Sequence, residues 1–134
     1  MRYYLAKTDP STYSIDDFAR DKETVWDGVK NAQALQAIRA MKRGDRVIIY
    51  HSQGEGSLRG LAEVVTDSTP DPKDEKLAVV KLKLIKQFSE PYVTLKEIKD
   101  SHLFYSFALV TQSRLSTMEA PTYFIDWLKS KKVL

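Results

Sequence analysis

The stretch "AQALQAIRAMKRGDRVIIYHS" (Ala32–Ser52) decides the fold class, because it joins a helix pattern to a strand pattern. Its first half places apolar residues at spacings of three and four, which predicts a helix with one apolar face: Ala34, Leu35, Ile38 and Met41. Asn31 is well placed to cap the start of this helix, and Gly44 to terminate it. The segment Asp45–Ser52 is short and nearly continuously apolar, which is typical of a central strand. The sequence therefore predicts helices and strands packed together.

Other segments have the composition of strands. Arg2–Lys7 is rich in aromatic residues, Leu58–Val65 is mostly apolar, and Leu77–Phe88 alternates apolar residues with lysines. Between the last two, Thr66–Lys76 is rich in turn-forming residues, so we expect a mobile loop there. Near the C-terminus, Thr111–Ala120 has the pattern of a loop that enters a short strand.

Shorter helices are predicted between these strands. Ser14 and Asp17 match a capping box, and Thr94 with Glu97 repeats the pattern before a second short helix. Pro121 suits the first turn of a final helix, whose buried stripe we expect to contain Phe124, Trp127 and Leu128. These elements predict a mixed α/β (α+β) fold: one domain over the whole 134-residue chain, with about five strands in a small, strongly bent sheet or barrel.

The composition narrows the class of protein. The chain has no cysteine, which excludes disulfide frameworks and thiolate chemistry, and its N-terminus lacks the apolar run of a signal peptide. No segment approaches the roughly 20 apolar residues needed to span a bilayer, so we expect a cytoplasmic protein with no membrane partner. The net charge of +3 permits a polyanionic partner without requiring one.

Catalytic and metal-binding patterns are weak. His51 and Ser52 are neighbours on a predicted strand, so their side chains point to opposite faces and do not form a nucleophile–base pair. The glycine-rich segment Gln53–Gly60 lacks the ending of a phosphate-binding loop. With only two histidines and no cluster of ligands, we expect no metal and no cofactor.

One tryptophan is placed unusually. Trp26 lies among polar residues in "TVWDGVKN" (Thr24–Asn31), which has the pattern of a loop between two helices. The indole ring either fills the core or forms a wall for a bound molecule, and from the loop alone the core is favoured about two to one.

Four motifs in this order resemble the EVE domain family: "YYLAKTDPSTYSIDDF", "WDGVKNAQALQAIRAMKRGDRVIIYHS", "GLAEVV" and "TQSRLS". The resemblance covers nearly the whole chain. It implies a PUA-like fold, in which a bent sheet of about five to six strands closes into a partial barrel with helices around it. It also implies a non-catalytic module that binds nucleic acid and holds a modified base, with modified cytosine in DNA expected first. Binding to RNA is the alternative, since some related proteins act on RNA. The relatives include the YTH domains, which hold a modified adenine in an aromatic cage.

The same resemblance assigns roles to individual side chains. Trp26 would be the wall of the pocket, and Asn31 and Ser52 would offer polar contacts to the base, with His51 beside them. Other residues would close the far side or contact the backbone of the nucleic acid: Gln112, Arg114 and Ser116, with Lys7 and Lys30. The role of Asn31 stays open, since the alternative is that its side chain caps the helix. Two other functions also stay open: a hydrolase of modified nucleosides with His51 as acid or base, and a protein-interaction or structural domain. We expect a monomer.

Overall fold

Six strands form one open sheet in the computed structural model, which describes residues 1–134. The strands are β1 (Tyr3–Thr8), β2 (Glu23–Trp26), β3 (Arg46–His51), β4 (Ser57–Asp71), β5 (Asp74–Gln87) and β6 (Thr117–Ala120). Their order across the sheet is β2-β5-β4-β3-β1-β6, with β1 and β3 parallel and the other pairs antiparallel. The predicted mixed α/β class and the predicted number of strands are confirmed.

Five helices connect or flank these strands. They are α1 (Ile15–Asp21), α2 (Ala32–Ala40), α3 (Leu95–Asp100), α4 (Ala108–Thr111) and α5 (Thr122–Ser130). None of the helices combines the length and the hydropathy that a membrane-spanning helix requires.

The sheet is strongly curved. Helix α2 packs against both β5 and β6, although three strands separate these two in the sheet. The long pair β4–β5 has several register shifts, and such bulges bend a strand and increase its twist. The curvature brings the end of β1 close to the end of β2, which are also not neighbours in the sheet.

The predicted helix caps are present. Ser14 and Asp17 form a reciprocal capping box at the start of α1, and the Thr94 side chain accepts a hydrogen bond from the N–H of Glu97. The Asn31 side chain accepts a hydrogen bond from the N–H of Ala34 at 3.0 Å, so this side chain caps the helix. Helix α2 ends at Ala40, earlier than the Gly44 signal predicted.

Two predicted loops are wrong. Thr66–Lys76 is the tip of a long β4–β5 hairpin, because Asp71 closes a tight turn by accepting a hydrogen bond from the N–H of Lys73 at 2.9 Å. The start of the predicted loop Thr24–Asn31 belongs to the edge strand β2, whose Trp26 pairs with Val80 of β5. Thr24, Val25 and Trp26 favour strands, but this run is too short to predict a strand without its pairing partner β5.

A single hydrophobic core lies inside the curved sheet. It contains 34 buried residues contributed by every strand and by all five helices. In α5, Phe124 and Leu128 are completely buried, as predicted, while Trp127 is partly exposed and packs at 5.1 Å against the ring of Phe104.

Candidate functional site

A cleft of about 480 Å³ opens where the ends of β1 and β2 meet. Its volume lies within the range of natural ligand sites. Most of the lining residues are polar. They come from β1 and the turn after it, from β2 and the turn after it, and from the segment before β6: Lys7, Thr8, Asp9, Thr12, Tyr13, Thr24, Val25, Trp26, Asp27, Gly28, Val29, Lys30 and Ser116.

Trp26 belongs to both the core and the cleft. Only 8% of its surface is exposed. Its ring meets Tyr13 edge-on at 6.3 Å and lies tilted against Phe18 at 6.2 Å. The two interpretations of this indole are therefore compatible, since Trp26 is buried in the core and also lines the cleft. An aromatic surface fixed by its neighbours binds a flat ligand with little loss of side-chain entropy.

Carboxylates supply hydrogen-bond acceptors in the cleft. Asp9 accepts from the N–H and the hydroxyl of Ser11, at 2.9 and 2.7 Å, and from the amide of Gln53 at 3.0 Å. These hydrogen bonds, led by the Ser11 hydroxyl, lower the pKa of Asp9 below its ordinary value. The group is therefore an anion at neutral pH, and a carboxylate has lone pairs for more than three donors. Asp27 is a second acid in the lining.

Two lysines supply positive charge. The Lys7 ammonium donates to the carbonyl of Ser113 at 3.0 Å and lies 5.6 Å from the centre of the Tyr50 ring. Burial lowers the pKa of Lys7 below its ordinary value. Lys30 is exposed on the turn after β2. Because the N–H of Lys7 also donates to the carbonyl of Ser116, the segment before β6 is fastened to the end of β1.

The structure brings some of the predicted site residues together and leaves others apart. Lys7, Trp26, Lys30 and Ser116 line the cleft. The remaining five predicted residues do not: Asn31, His51, Ser52, Gln112 and Arg114.

His51 has a structural position. It is only 7% exposed, and its Nε2 accepts a hydrogen bond from the N–H of Ile15 at 3.0 Å. Burial, and then the charge of Arg59, lower the pKa of His51, although Asp16 opposes the shift. A neutral imidazole with an unprotonated Nε2 is the form that this hydrogen bond requires. His51 therefore ties the start of α1 to β3 and does not face the cleft.

The other absent residues are near the cleft or exposed beyond it. Ser52 bonds to the carbonyl of Thr8 through its N–H at 3.0 Å and its hydroxyl at 3.3 Å, which joins β3 to β1. Gln112 caps the end of α4 through its backbone, and both Gln112 and Arg114 are exposed. Asn31 is engaged in the helix cap described above.

Sequence reasoning missed several lining residues, chiefly Thr12, Tyr13 and Thr24. These residues form no recognisable sequence motif. They lie close together only because the curved sheet brings the ends of β1 and β2 together. A signal existed for Asp9, which follows the end of a predicted strand in "KTDP". The structure contains no group of three or more His, Asp or Glu side chains that could hold a metal ion.

Comparisons with known proteins cover the whole fold. A family model described as the EVE domain matches residues 2–129. Mouse thymocyte nuclear protein 1 is 27% identical over 164 residues, an alignment that covers 96% of this chain and 72% of that protein. The structure of Rpa0253 from Rhodopseudomonas palustris matches with a TM-score of 0.91 and 32% identity, covering 100% of this chain and 95% of that one. Human THYN1 protein in complex with 5-methylcytosine-containing DNA matches with a TM-score of 0.88 and 24% identity, covering 98% of each chain.

Proposed function

This chain belongs to the EVE domain family, and we propose that it is a non-catalytic nucleic-acid-binding module that holds one modified base in the cleft beside Trp26. The observation that carries the proposal is the composition of this cleft, which is lined by one tryptophan, two aspartates and two lysines. Modified cytosine in DNA is the base we expect, in line with the 5-methylcytosine-containing DNA bound to the human THYN1 protein.

The aromatic wall provides the affinity for a base. Stacking of one base on an aromatic side chain contributes about 1–3 kcal/mol. Tyr13 and Phe18 hold the Trp26 ring in place, so little side-chain entropy is lost when a base contacts it. The Lys30 ammonium, on the rim, supplies attraction for the backbone phosphate next to that base.

The carboxylates give a reason to prefer cytosine. Aspartate is suited to accept from the N4 amino group of cytosine, whereas thymine offers only a carbonyl at the matching position. Asp9 is anionic and oriented by Ser11 and Gln53, and Asp27 lies in the same lining. A base with an amino group on its Watson–Crick edge therefore fits this cleft better than one with a carbonyl there.

Energetics predict weak discrimination by the domain alone. Extraction of a base from a duplex costs a few kcal/mol, so single strands should bind more tightly than duplexes. Burial of one extra methyl group is worth about 0.8 kcal/mol, which corresponds to a preference of about fourfold for a methylated over an unmethylated cytosine.

Titration of short labelled oligonucleotides tests the proposal. The probes are single strands and duplexes with one cytosine or one 5-methylcytosine, and matched RNA strands test the alternative partner. Trp26→Ala should weaken binding of the single strand by about 1–3 kcal/mol. Trp127→Ala is the matched control, since Trp127 lies outside the cleft. Thermal unfolding of both variants, with binding measured well below the transition, separates lost contact from lost fold. Equal affinity of wild type and Trp26→Ala for every probe contradicts the proposal.

The hydrolase alternative lacks its acid–base residue. That hypothesis required His51 to face the substrate, but this side chain is buried and occupied by the N–H of Ile15. Chromatography of a panel of modified nucleosides after incubation with the protein should therefore show no turnover, and any product would support the hydrolase instead.

A further inference from the structure

The Arg59 guanidinium is held on two sides. Its Nε donates to the hydroxyl of Ser57 at 2.8 Å, and Ser57 is only 3% exposed. The guanidinium also lies over the ring of Tyr92, with its carbon 3.8 Å from the ring centre. Such a contact between a planar cation and an aromatic face fixes the orientation of the side chain.

The outer edge of the same guanidinium has no partner within the protein. Its two Nη atoms make no hydrogen bond, and no carboxylate oxygen lies within 4.0 Å of the group. The buried polar side-chain atoms that lack a hydrogen-bond partner are Tyr4 Oη and Arg46 Nε. The Arg59 Nη atoms also lack a partner but are not among these buried atoms, so they are reachable from solvent. They open into a second cleft, of about 580 Å³, beside α3. An oriented arginine edge of this kind is suited to bind two oxygens of one phosphate.

The strand that carries Arg59 passes close to the cleft beside Trp26. Thr8, which lines that cleft, pairs with His51, and His51 pairs with Ser57. Two strand spacings, roughly 10 Å, therefore separate Thr8 from the serine that holds Arg59. A few nucleotides of one strand cover this distance.

We propose that the outer edge of Arg59 binds a backbone phosphate of the strand whose base occupies the cleft beside Trp26. This inference rests on the function proposed above and adds a backbone contact separate from the base site. Glu55 and Glu90 line the same second cleft. Their negative charges weaken the attraction for the phosphate, so their removal should strengthen binding.

Salt-dependent titration of two single-stranded probes tests this contact. One probe carries a single 5-methylcytosine, and the other consists of abasic residues that retain every phosphate. Loss of one phosphate contact in Arg59→Gln should reduce the salt dependence of log K by about 0.7 on both probes and the affinity at low salt about tenfold. Glu90→Gln should raise the affinity. Arg43→Gln is the control for Arg59→Gln, because it removes the same positive charge just before the opposite end of β3, and it should match wild type.

Arg59→Lys is a second variant that tests the contact if Arg59→Gln fails to fold. Thermal unfolding of each variant detects a folding defect. Lysine keeps the charge and therefore most of the salt dependence, but it loses the planar fork and some affinity. An unchanged salt dependence in Arg59→Gln overturns the inference, as does an equal effect of Arg43→Gln or a wild type that does not bind the abasic strand. The base site is judged separately, by Trp26→Ala on the methylated probe, so failure of one proposal is distinguishable from failure of the other.

Discussion

Replacement of His51 by asparagine should destabilise the protein without removing a contact to the bound base. The N–H of Ile15 is the group affected, because it donates to His51 Nε2 at 3.0 Å and Ile15 is only 4% exposed. Asparagine carries its polar atoms near the position of Nδ1 and does not reach Nε2. A buried donor without a partner costs about 1–3 kcal/mol. For a domain of this size, each kcal/mol lowers Tm by about 3–5 °C, so the expected loss is roughly 3–15 °C.

Thermal unfolding followed by circular dichroism measures this change, and the second histidine provides the control. His102 is exposed and has a φ of 59°, a conformation that asparagine tolerates well. His102→Asn should therefore lie within about 0.5 kcal/mol of wild type. His51→Gln should recover part of the lost stability, since its amide oxygen reaches the position of Nε2. Equal Tm values for His51→Asn and His102→Asn would refute the structural role of His51, as would a His51→Asn variant with normal Tm that no longer binds the oligonucleotide.

Three further predictions concern pH, a helix cap and a close contact. The pKa of His51 is lower in the folded state than its ordinary 6.5. Its contribution to stability is therefore complete above about pH 6.5 and declines as pH falls below this value. Urea unfolding between pH 7.5 and 5.5 should show a smaller loss of unfolding free energy in His51→Gln than in wild type. Asn31→Ala should lower the free energy of unfolding by about 0.5–2 kcal/mol, while Asn31→Ser should keep most of the wild-type stability. Both variants should bind the oligonucleotide as wild type does. A large binding defect in Asn31→Ala without loss of stability would instead assign this side chain to the base. In Gly56→Ala the new Cβ would collide with the hydroxyl of the buried Tyr50. Chemical denaturation should therefore show a loss of about 1–3 kcal/mol in unfolding free energy, and Tyr50→Phe should recover part of this loss in the double variant. Additive effects of the two substitutions would contradict the collision.

The local elements of the fold follow from the sequence. The period of apolar residues predicts α2, and the caps at Ser14, Asn31 and Thr94 act as helix grammar predicts. The hairpin at Pro72 and Lys73 was not predicted, because a cluster of turn residues in sequence does not reveal how far paired strands extend beside it. Pairing across the sheet is a tertiary property, and it also creates β2.

The candidate site depends on curvature, which a linear sequence does not display. Family resemblance selected Trp26, Lys7, Lys30 and Ser116, and all four line one cleft. It also selected His51, because histidine is a common acid–base residue. In the structure, however, His51 is buried and accepts a hydrogen bond from the backbone of α1. Thr12, Tyr13 and Thr24 could not be selected, since their meeting depends on how the sheet bends. The motifs identify the neighbourhood of the cleft, and the tertiary structure decides which side chains face it.

The most direct test of base binding beside Trp26 is a nitrogen–proton NMR titration with a single strand carrying one 5-methylcytosine. The protein has two tryptophans, and their indole N–H groups report on two different places: Trp26 in the cleft and Trp127 on α5. The proposal predicts that the Trp26 indole signal and the amide signal of Gly28 shift strongly with added strand, while the Trp127 indole signal stays in place. Shifts that cluster around Trp127 and α5, with the Trp26 indole signal unmoved at saturation, would contradict it.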